Sequence, residues 1–280
     1  YLQSQWTIDL EKLLPGEVRF GLRLNTKGKV MAGAYFFKKN TESLRLLSRG
    51  TEAGEMIDLL EQNVVADEIE FIDETKEWNL FTIFGSEAEN FLISQIQNIP
   101  TYEKFLISDG NLAFLDSRLP ENSFSILVNS KFQESINFTD WKREDRNEFE
   151  KRRIKGGFVL IPEEIGPDDL PHEGKLEKSC VDFEKGCYLG QEVMARLHAM
   201  GKVRKHTHSV VFKGPHAPSL PANLFLNNKP VGVLKSLQKD NDRYIGIAIV
   251  HEKAEEALHS EGLHMNDVNG GVIRKLEDEK

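Results

Sequence analysis

The apolar positions along the chain switch between two periods, and the switch points divide it into elements. Val18, Phe20, Leu22 and Leu24 fall at every second residue, the pattern of a half-buried strand. Asn25-Thr26-Lys27-Gly28 then supplies a turn, and Val30 to Phe37 reads as the returning strand of a hairpin. Ahead of it, Leu2, Trp6, Leu10 and Leu13 or Leu14 recur at helical spacing until Pro15-Gly16, which predicts a short helix. Between 41 and 128 the pattern predicts strands at Leu44 to Leu47, Ile69 to Ile72, Leu80 to Phe84, Ala113 to Leu115 and Phe124 to Val128. Helices are expected from Glu52 to Gln62, with Met56, Leu59 and Leu60 inward, and through Phe91, Leu92 and Ile96 after a capping box at Ser86-Glu87-Ala88-Glu89. The order β-α-β-β-α-β is the ferredoxin-like pattern.

Further on, Thr139 or Asp140 is expected to cap a highly charged helix that turns Trp141 and Phe149 inward and stops at Gly156-Gly157. A loop carrying Pro162, Pro167 and Pro171 leads into a second helical stripe, Val193, Leu197 and Met200, ended by Gly201. The last quarter predicts a small β domain: Val210 to Phe212, Leu224 to Leu226, Val231 to Leu234 and Ile245 to Val250, parted by Gly, Pro and Asn-Asn turns, with a short helix over Glu252 to His259.

Composition narrows what such a chain can do. Its 280 residues, 39% hydrophobic and 29% charged, are enough for two or three globular domains. No apolar run approaches the ~20 residues needed to span a bilayer. A net charge of −9 argues against general affinity for nucleic-acid phosphates, so no direct nucleic-acid partner and no membrane are expected. Cys180 and Cys187 are the two cysteines, too few for a disulfide framework or a four-thiolate metal site. No Walker loop, dinucleotide fingerprint or His-Glu-x-x-His is present, and no tightly bound metal is expected. His206 and His208 would share one side of a strand, where exposed histidines are the plainer reading. No signal-peptide pattern follows Tyr1; the expected compartment is the cytoplasm, with an organelle open if a targeting segment was removed.

The candidate chemistry gathers at Glu184-Lys185-Gly186-Cys187-Tyr188-Leu189-Gly190-Gln191-Glu192-Val193-Met194-Ala195-Arg196. Cys187 lies ahead of a helix N-terminus, where unpaired N–H groups and the macrodipole favour an anion. With Lys185 nearby, these conditions make a thiol reactive. The plain alternative is a buried structural cysteine, which is the reading given to Cys180 with a transient disulfide as its alternative. Lys185 could hold a thiolate or a carboxylate, or be solvated. Glu192 and Arg196 stand one turn apart as an ordinary helix pair whose face could line a cavity. Lys202, Arg204 and Lys205 form a small basic patch, either a receiver for an anionic tail or a solvated edge.

Lys-Gly-Cys-Tyr-x-Gly-Gln-Glu-x-x-Ala-Arg matches the signature of the YgfZ family, folate-binding relatives of the glycine-cleavage T-protein, at nine specified positions in twelve. The opening Tyr1 to Leu10, Leu-Asn-Thr-Lys-Gly-Lys-Val, Asp116-Ser117-Arg118, Arg153-Ile154 and Lys229-Pro230-Val231-Gly232-Val233 (with Asn228 in place of the hairpin's first glycine) also resemble that family. The resemblance implies an α+β, T-protein-like three-domain ring. In it, 1–37 and 122–205 form a discontinuous first domain, 38–121 a ferredoxin-like domain and 206–280 a C-terminal β-barrel, around a central cleft for tetrahydrofolate or another reduced folate. It further implies an accessory factor for assembly, repair or maintenance of iron–sulfur enzymes, including tRNA methylthiolation. That factor would bind folate, meet iron–sulfur apoenzymes transiently and work as a monomer. Cys187 and Lys185 would be the catalytic pair, and Tyr188, Gln191, Glu192, Arg196, Arg153, Arg118 and Lys202 the cofactor-binding set. The rival is a tetrahydrofolate-dependent aminomethyltransferase. That enzyme lacks the Lys-Gly-Cys-Tyr motif and carries a pterin-contacting glutamate where this chain has Lys155; its catalytic aspartate has no clear counterpart, Asp109 lying in a plausible region. A non-catalytic interaction scaffold is the third reading.

Overall fold

A computed structural model describes residues 1–276 except 66–67, 109, 121–122, 140 and 266–269. It divides into two compact units. The first comprises 1–26, 31–142 and 179–191, the second 27–30, 143–178 and 192–280.

The first unit holds two sheets. The hairpin expected from the period-two pattern forms as β1 (Val18–Leu24) and β2 (Val30–Lys38), with Gly28 at φ +72° in the turn, and β3 (Leu44–Leu47) extends it in the order β1-β2-β3. The second sheet is β4 (Trp78–Ile83), β5 (Phe105–Ser108), β6 (Asn111–Leu115) and β7 (Phe124–Asn129) in the antiparallel order β4-β7-β6-β5. Alternation along β1 and β2 sends Val18, Tyr35 and Phe37 to a core shared with Phe105, Leu112, Phe114 and Leu127 of the second sheet. Its centre is aromatic, with Phe37 5.0 Å from Phe114 and Tyr35 4.9 Å from both Phe114 and Phe20. The opposite face of β2, Ala32, Ala34 and Phe36, packs on Trp6, Ile8, Leu10 and Leu13 and on Met56 and Leu60 of α2 (Ala53–Glu61).

Four local expectations are corrected here. The N-terminal helix is confined to α1 (Leu2–Gln5), because from Trp6 onward the backbone is taken up by β1: Trp6 bridges Arg23, and the Thr7 N–H donates to Leu22 O at 3.0 Å. Ile69 to Ile72 is not a strand; Phe71 packs on the core and Ile72 stays exposed. The capping box at Ser86 does not form, and α3 (Ala88–Ile96) starts from Glu87 without a side-chain cap. β3 pairs with β2, not with the strands of the second sheet, so the β-α-β-β-α-β reading gave this strand a wrong partner as well as counting 69–72 as a strand. The same reading passed over β5.

The second unit carries a closed barrel ordered β10-β11-β8-β13-β12-β9. Its strands are β8 (Lys205–Lys213), β9 (Ala222–Leu226), β10 (Lys229–Asp240), β11 (Arg243–His251), β12 (Leu263–His264) and β13 (Val272–Lys275); the sequence pattern passed over the last two. Asn227 and Asn228 both take positive φ in the β9–β10 turn, which asparagine tolerates nearly as well as the glycine it replaces. The register of β10 against β11 slips between Leu234 and Ser236, where a Cβ on Gly246 would stand 2.0 Å from Ser236 O, so only glycine fits. The charged helix α4 (Arg146–Lys155) is capped by the Asp145 carboxylate, which accepts from Glu148 N at 3.0 Å, not by Thr139; Asp140 lies outside the described residues. Two short helices complete the set used below, α5 (Glu177–Cys180) and α6 (Gln191–Met200), before α7 (Glu255–His259) in the barrel unit.

His208 is buried, not exposed as a strand histidine would be. Its Nδ1 lies 3.2 Å from Lys275 Nζ and its Nε2 3.3 Å from Glu255. Lysine can only donate, so Nδ1 accepts and the proton sits on Nε2, facing the carboxylate. Burial, reinforced by the Lys275 charge and opposed by Glu255, brings His208 down to about 4. The unfolded chain therefore takes up this proton first as pH falls from about 6.5 to about 4, and the fold loses up to about 3 kcal/mol across that window. His208→Gln should flatten the pH dependence of unfolding free energy between pH 7 and 4.5. An unchanged slope would show that His208 carries none of the acid sensitivity.

Candidate functional site: a clamped loop that presents a thiol

The cysteine loop is built by the N-terminal segment of its own unit. Asp182 N donates to Thr7 O at 2.8 Å, Leu189 N to Ser4 O at 3.0 Å, and Thr7 Oγ1 to Cys180 O at 2.5 Å. Between these ties the buried Lys185 turns inward. Its Nζ donates to Gln3 O at 2.6 Å and to Trp6 O and Ile8 O at 2.7 Å each. An ammonium has three protons, and three carbonyl oxygens take them all. The segment is braced in turn by Gln3, which donates to Asp9 at 3.0 Å and accepts from Leu10 N at 2.7 Å.

This geometry revises the part expected of Lys185: with every donor committed to backbone carbonyls, it holds the loop and not a thiolate. Burial lowers its pKa to about 8, while the charges of Asp9, Asp182 and Glu11 act the other way, as do the carbonyl bonds. Its charge also stands 5.3 Å from the Tyr188 ring.

Cys187 lies on the outside of this clamped loop, exposed and reduced, next to Gly186, whose Cβ position opens on space. Cys180 is fully buried beside Ser179, Sγ to Oγ 3.3 Å, as a structural cysteine should be. Tyr188 is 7% exposed, and its hydroxyl is buried without a hydrogen-bond partner. Burial, then the nearby Asp182 charge, raises its pKa to about 12, so it keeps its proton and lacks an acceptor. Gln191 closes the turn into α6: its Oε1 accepts from Tyr188 N at 3.3 Å and its N–H donates to Tyr188 O at 3.1 Å. In α6 Met194 is fully buried, while Val193 and Leu197 are half-buried.

The other candidates fall in separate places. Glu192 and Arg196 pair at 2.9 Å with both side chains exposed, and Lys202 is exposed with Arg204 and Lys205; all belong to the second unit. Arg153, also of that unit, is 2% exposed and spent. Nε and Nη2 donate to Glu150, Nη1 and Nη2 to Glu164, and Nη1 to Phe158 O, so all its directions are filled by the chain itself. It organises the scaffold and has no donor left for a cofactor. Lys155 pairs with Asp240 at 3.0 Å. Asp109 lies outside the described residues.

Asp116 of the Asp-x-Arg element proves to be a hub. Its fully buried carboxylate accepts from Tyr35 Oη at 2.6 Å, Arg49 Nη2 at 2.5 Å and Ser125 Oγ at 2.6 Å, and weakly from Arg118 N at 3.3 Å. Its ionic partner is Arg49, 67 residues away and invisible to motif reading, not Arg118, whose guanidinium lies over the Phe20 ring at 5.2 Å. Burial and then the Asp116 charge push Tyr35 well above the ordinary phenol range.

No family model matches the chain. Curated relatives do. It is 25% identical over 264 residues to the tRNA-modifying protein YgfZ of Hamiltonella defensa, covering 91% of this chain and 74% of that protein. It is 27% identical over 274 residues to the YgfZ of Buchnera aphidicola subsp. Schizaphis graminum, covering 90% and 77%. The chain is similar to the YgfZ proteins along most of its length. Its fold is that of the T-protein: the glycine cleavage system aminomethyltransferase T of Bartonella henselae superposes with a TM-score of 0.73 over 98% of this chain and 79% of that one, at 16% identity.

Replacing Lys185 with methionine keeps the stem and strands three buried carbonyls. Each unsatisfied group costs about 1–3 kcal/mol, so Lys185→Met should lower unfolding free energy by about 3 kcal/mol or more. The amides of Asp182 and Leu189 should lose protection in hydrogen exchange. Unchanged protection at those two positions would rule out the clamp. Asp116→Ala should cost about 2–3 kcal/mol in chemical denaturation, because it leaves the buried Tyr35 and Ser125 hydroxyls without this acceptor; a loss under about 1 kcal/mol would contradict the hub.

Proposed function

We propose that this protein is a folate-dependent accessory factor for the assembly, repair or maintenance of iron–sulfur enzymes, tRNA methylthiolation among them, with Cys187 as the reacting or contacting group. The observation that carries this reading is an exposed thiol on a loop clamped by a fully committed lysine. A structural cysteine needs no such presentation, and a partner-facing one does. The curated relatives are named as tRNA-modifying proteins, which supports a role in that chemistry. The net charge of −9 favours protein partners over tRNA itself. A single thiolate cannot hold a cluster, so the encounter with iron–sulfur apoenzymes is transient. The compartment proposed is the cytoplasm, and the working form a monomer.

A reduced folate fits the chain in one testable respect: the Tyr188 hydroxyl is a buried donor without an acceptor, and a pterin or amide carbonyl would supply one. Bound folate would bring its one-carbon chemistry. From this chain Tyr188 would donate one hydrogen bond, while Lys185 and Gln191 would keep their structural bonds. The aminomethyltransferase reading is weaker, since Lys155, at the position of that enzyme's pterin-binding glutamate, can only donate and pairs with Asp240.

Calorimetric titration with tetrahydrofolate, in wild type, Cys187→Ser and Tyr188→Phe, tests the proposal. Saturable binding is expected in wild type and Cys187→Ser, weakened about tenfold in Tyr188→Phe, with no glycine-cleavage activity in any. Cys187→Ser should then fail to restore activity of an iron–sulfur methylthiolating enzyme in cells lacking this protein. Absence of folate binding would sink the folate part and leave a thiol-bearing scaffold; full rescue by Cys187→Ser would remove the thiol from the function.

A further inference from the structure

Arg23 is a buried cation with no counterion among the described residues. It lies on β1 at 2% exposure, on the face that carries Gly21 and is covered by Ile8 and Trp6. Its Nη1 donates to Leu24 O at 2.6 Å, and its Nε is buried with no partner. Among the described residues no carboxylate pairs with it, and burial lowers its pKa. The contrast inside the same chain is sharp, because the buried Arg153 has two glutamates and Arg49 has Asp116. An unpaired buried charge costs several kcal/mol, so such groups are normally paired.

A second orphan stands beside it. Trp6 is fully buried and its Nε1–H has no acceptor. Trp6 and Arg23 face each other across an antiparallel bridge, and residues directly opposed in that way project to the same side with Cβ atoms about 4.5–5.5 Å apart. Among the described residues the cluster therefore has positive charge and two buried donors, Arg23 Nε and Trp6 Nε1, that no acceptor meets. The edge of the guanidinium left over is the Nε–Nη2 fork, which matches the two oxygens of a carboxylate or phosphate. A buried water would satisfy one donor and leave the charge unchanged.

We infer that Arg23 and Trp6 form an oxyanion-binding site in the first unit, taking a carboxylate or phosphate borne by a small ligand. The site stands on its own residues and does not depend on the folate reading. The oxyanion would lie against the Nε–Nη2 edge of Arg23 and accept from the Trp6 indole, satisfying both orphaned donors and neutralising the charge. Arginine is required, because lysine offers a point charge with no fork.

The test is a nitrogen–proton correlation spectrum of the full chain, which resolves the indole N–H of the three tryptophans and the arginine Nε–H groups. Trp6→Phe and Arg23→Gln assign the two signals. Titration with sodium acetate, or with inorganic phosphate, should shift both signals together and saturate, whereas sodium chloride at the same ionic strength should not. Response to acetate identifies a carboxylate ligand, and response to phosphate alone a phosphate ligand. Arg23→Lys should weaken the affinity about tenfold or more. Arg23→Gln should abolish the Trp6 shift while leaving the melting temperature equal or higher, since it removes an uncompensated charge. Equal shifts with chloride, no shift with either oxyanion, or an undiminished Trp6 shift in Arg23→Gln would each overturn the site.

Discussion

The first unit depends on a single ammonium group that satisfies three backbone carbonyls from one point. Around and after the short α1 the chain leaves regular structure, and Gln3, Trp6 and Ile8 would otherwise present carbonyl oxygens that no helix or sheet ladder takes up. Lysine is suited to this place because its three protons splay tetrahedrally and its stem can cross an apolar layer. Residues 180–189 are thereby sewn to residues 3–9 at both ends and in the middle, and Cys187 faces away from the seam. Burial draws Lys185 down to about 8, so the three carbonyl bonds are made against the cost of desolvating the charge.

Buried guanidinium groups are treated differently across the chain. The buried Arg153 is compensated by carboxylates whose other lone pairs are also filled, the condition under which a buried ion pair repays its desolvation, and the more exposed Arg49 by the buried Asp116. Arg23 meets neither condition. The difference separates scaffold arginines from one that calls for a ligand, and it can be read only from the packed structure. By residue type and apolar surroundings the three look alike in sequence.

Local patterning carried much of the fold. The hairpin was plain in Val18, Phe20, Leu22 and Leu24, four barrel strands in their apolar runs, and the end of α4 in Gly156-Gly157. What failed was long-range or short. Leu2, Trp6 and Leu10 have helical spacing, yet tertiary hydrogen bonds to β1 outcompete a helix that would bury the same side chains. The pairing of Leu44 to Leu47 with β2 depends on partners that periodicity does not name. A two-residue strand such as β12 lies below the length at which alternation is detectable, and β13 was passed over. At the site, the exposure of Cys187 agreed with its glycine-flanked setting. The partners of Lys185 lie 177 to 182 residues away, beyond what spacing within a motif can show.

The signature therefore mixes two kinds of residue. Lys185 and Gln191 are consumed by backbone bonds, and Gly186 leaves open space beside the thiol. Cys187 and the Tyr188 hydroxyl are left unsatisfied by the chain, one exposed and one buried. Glu192 and Arg196 satisfy each other, but with side chains 86% and 62% exposed the pair contributes little to stability. Stability thus accounts for the first group and not for the second. A chain that spends a buried lysine on holding a loop while leaving that loop's thiol and phenol without partners has arranged them for something that arrives from outside.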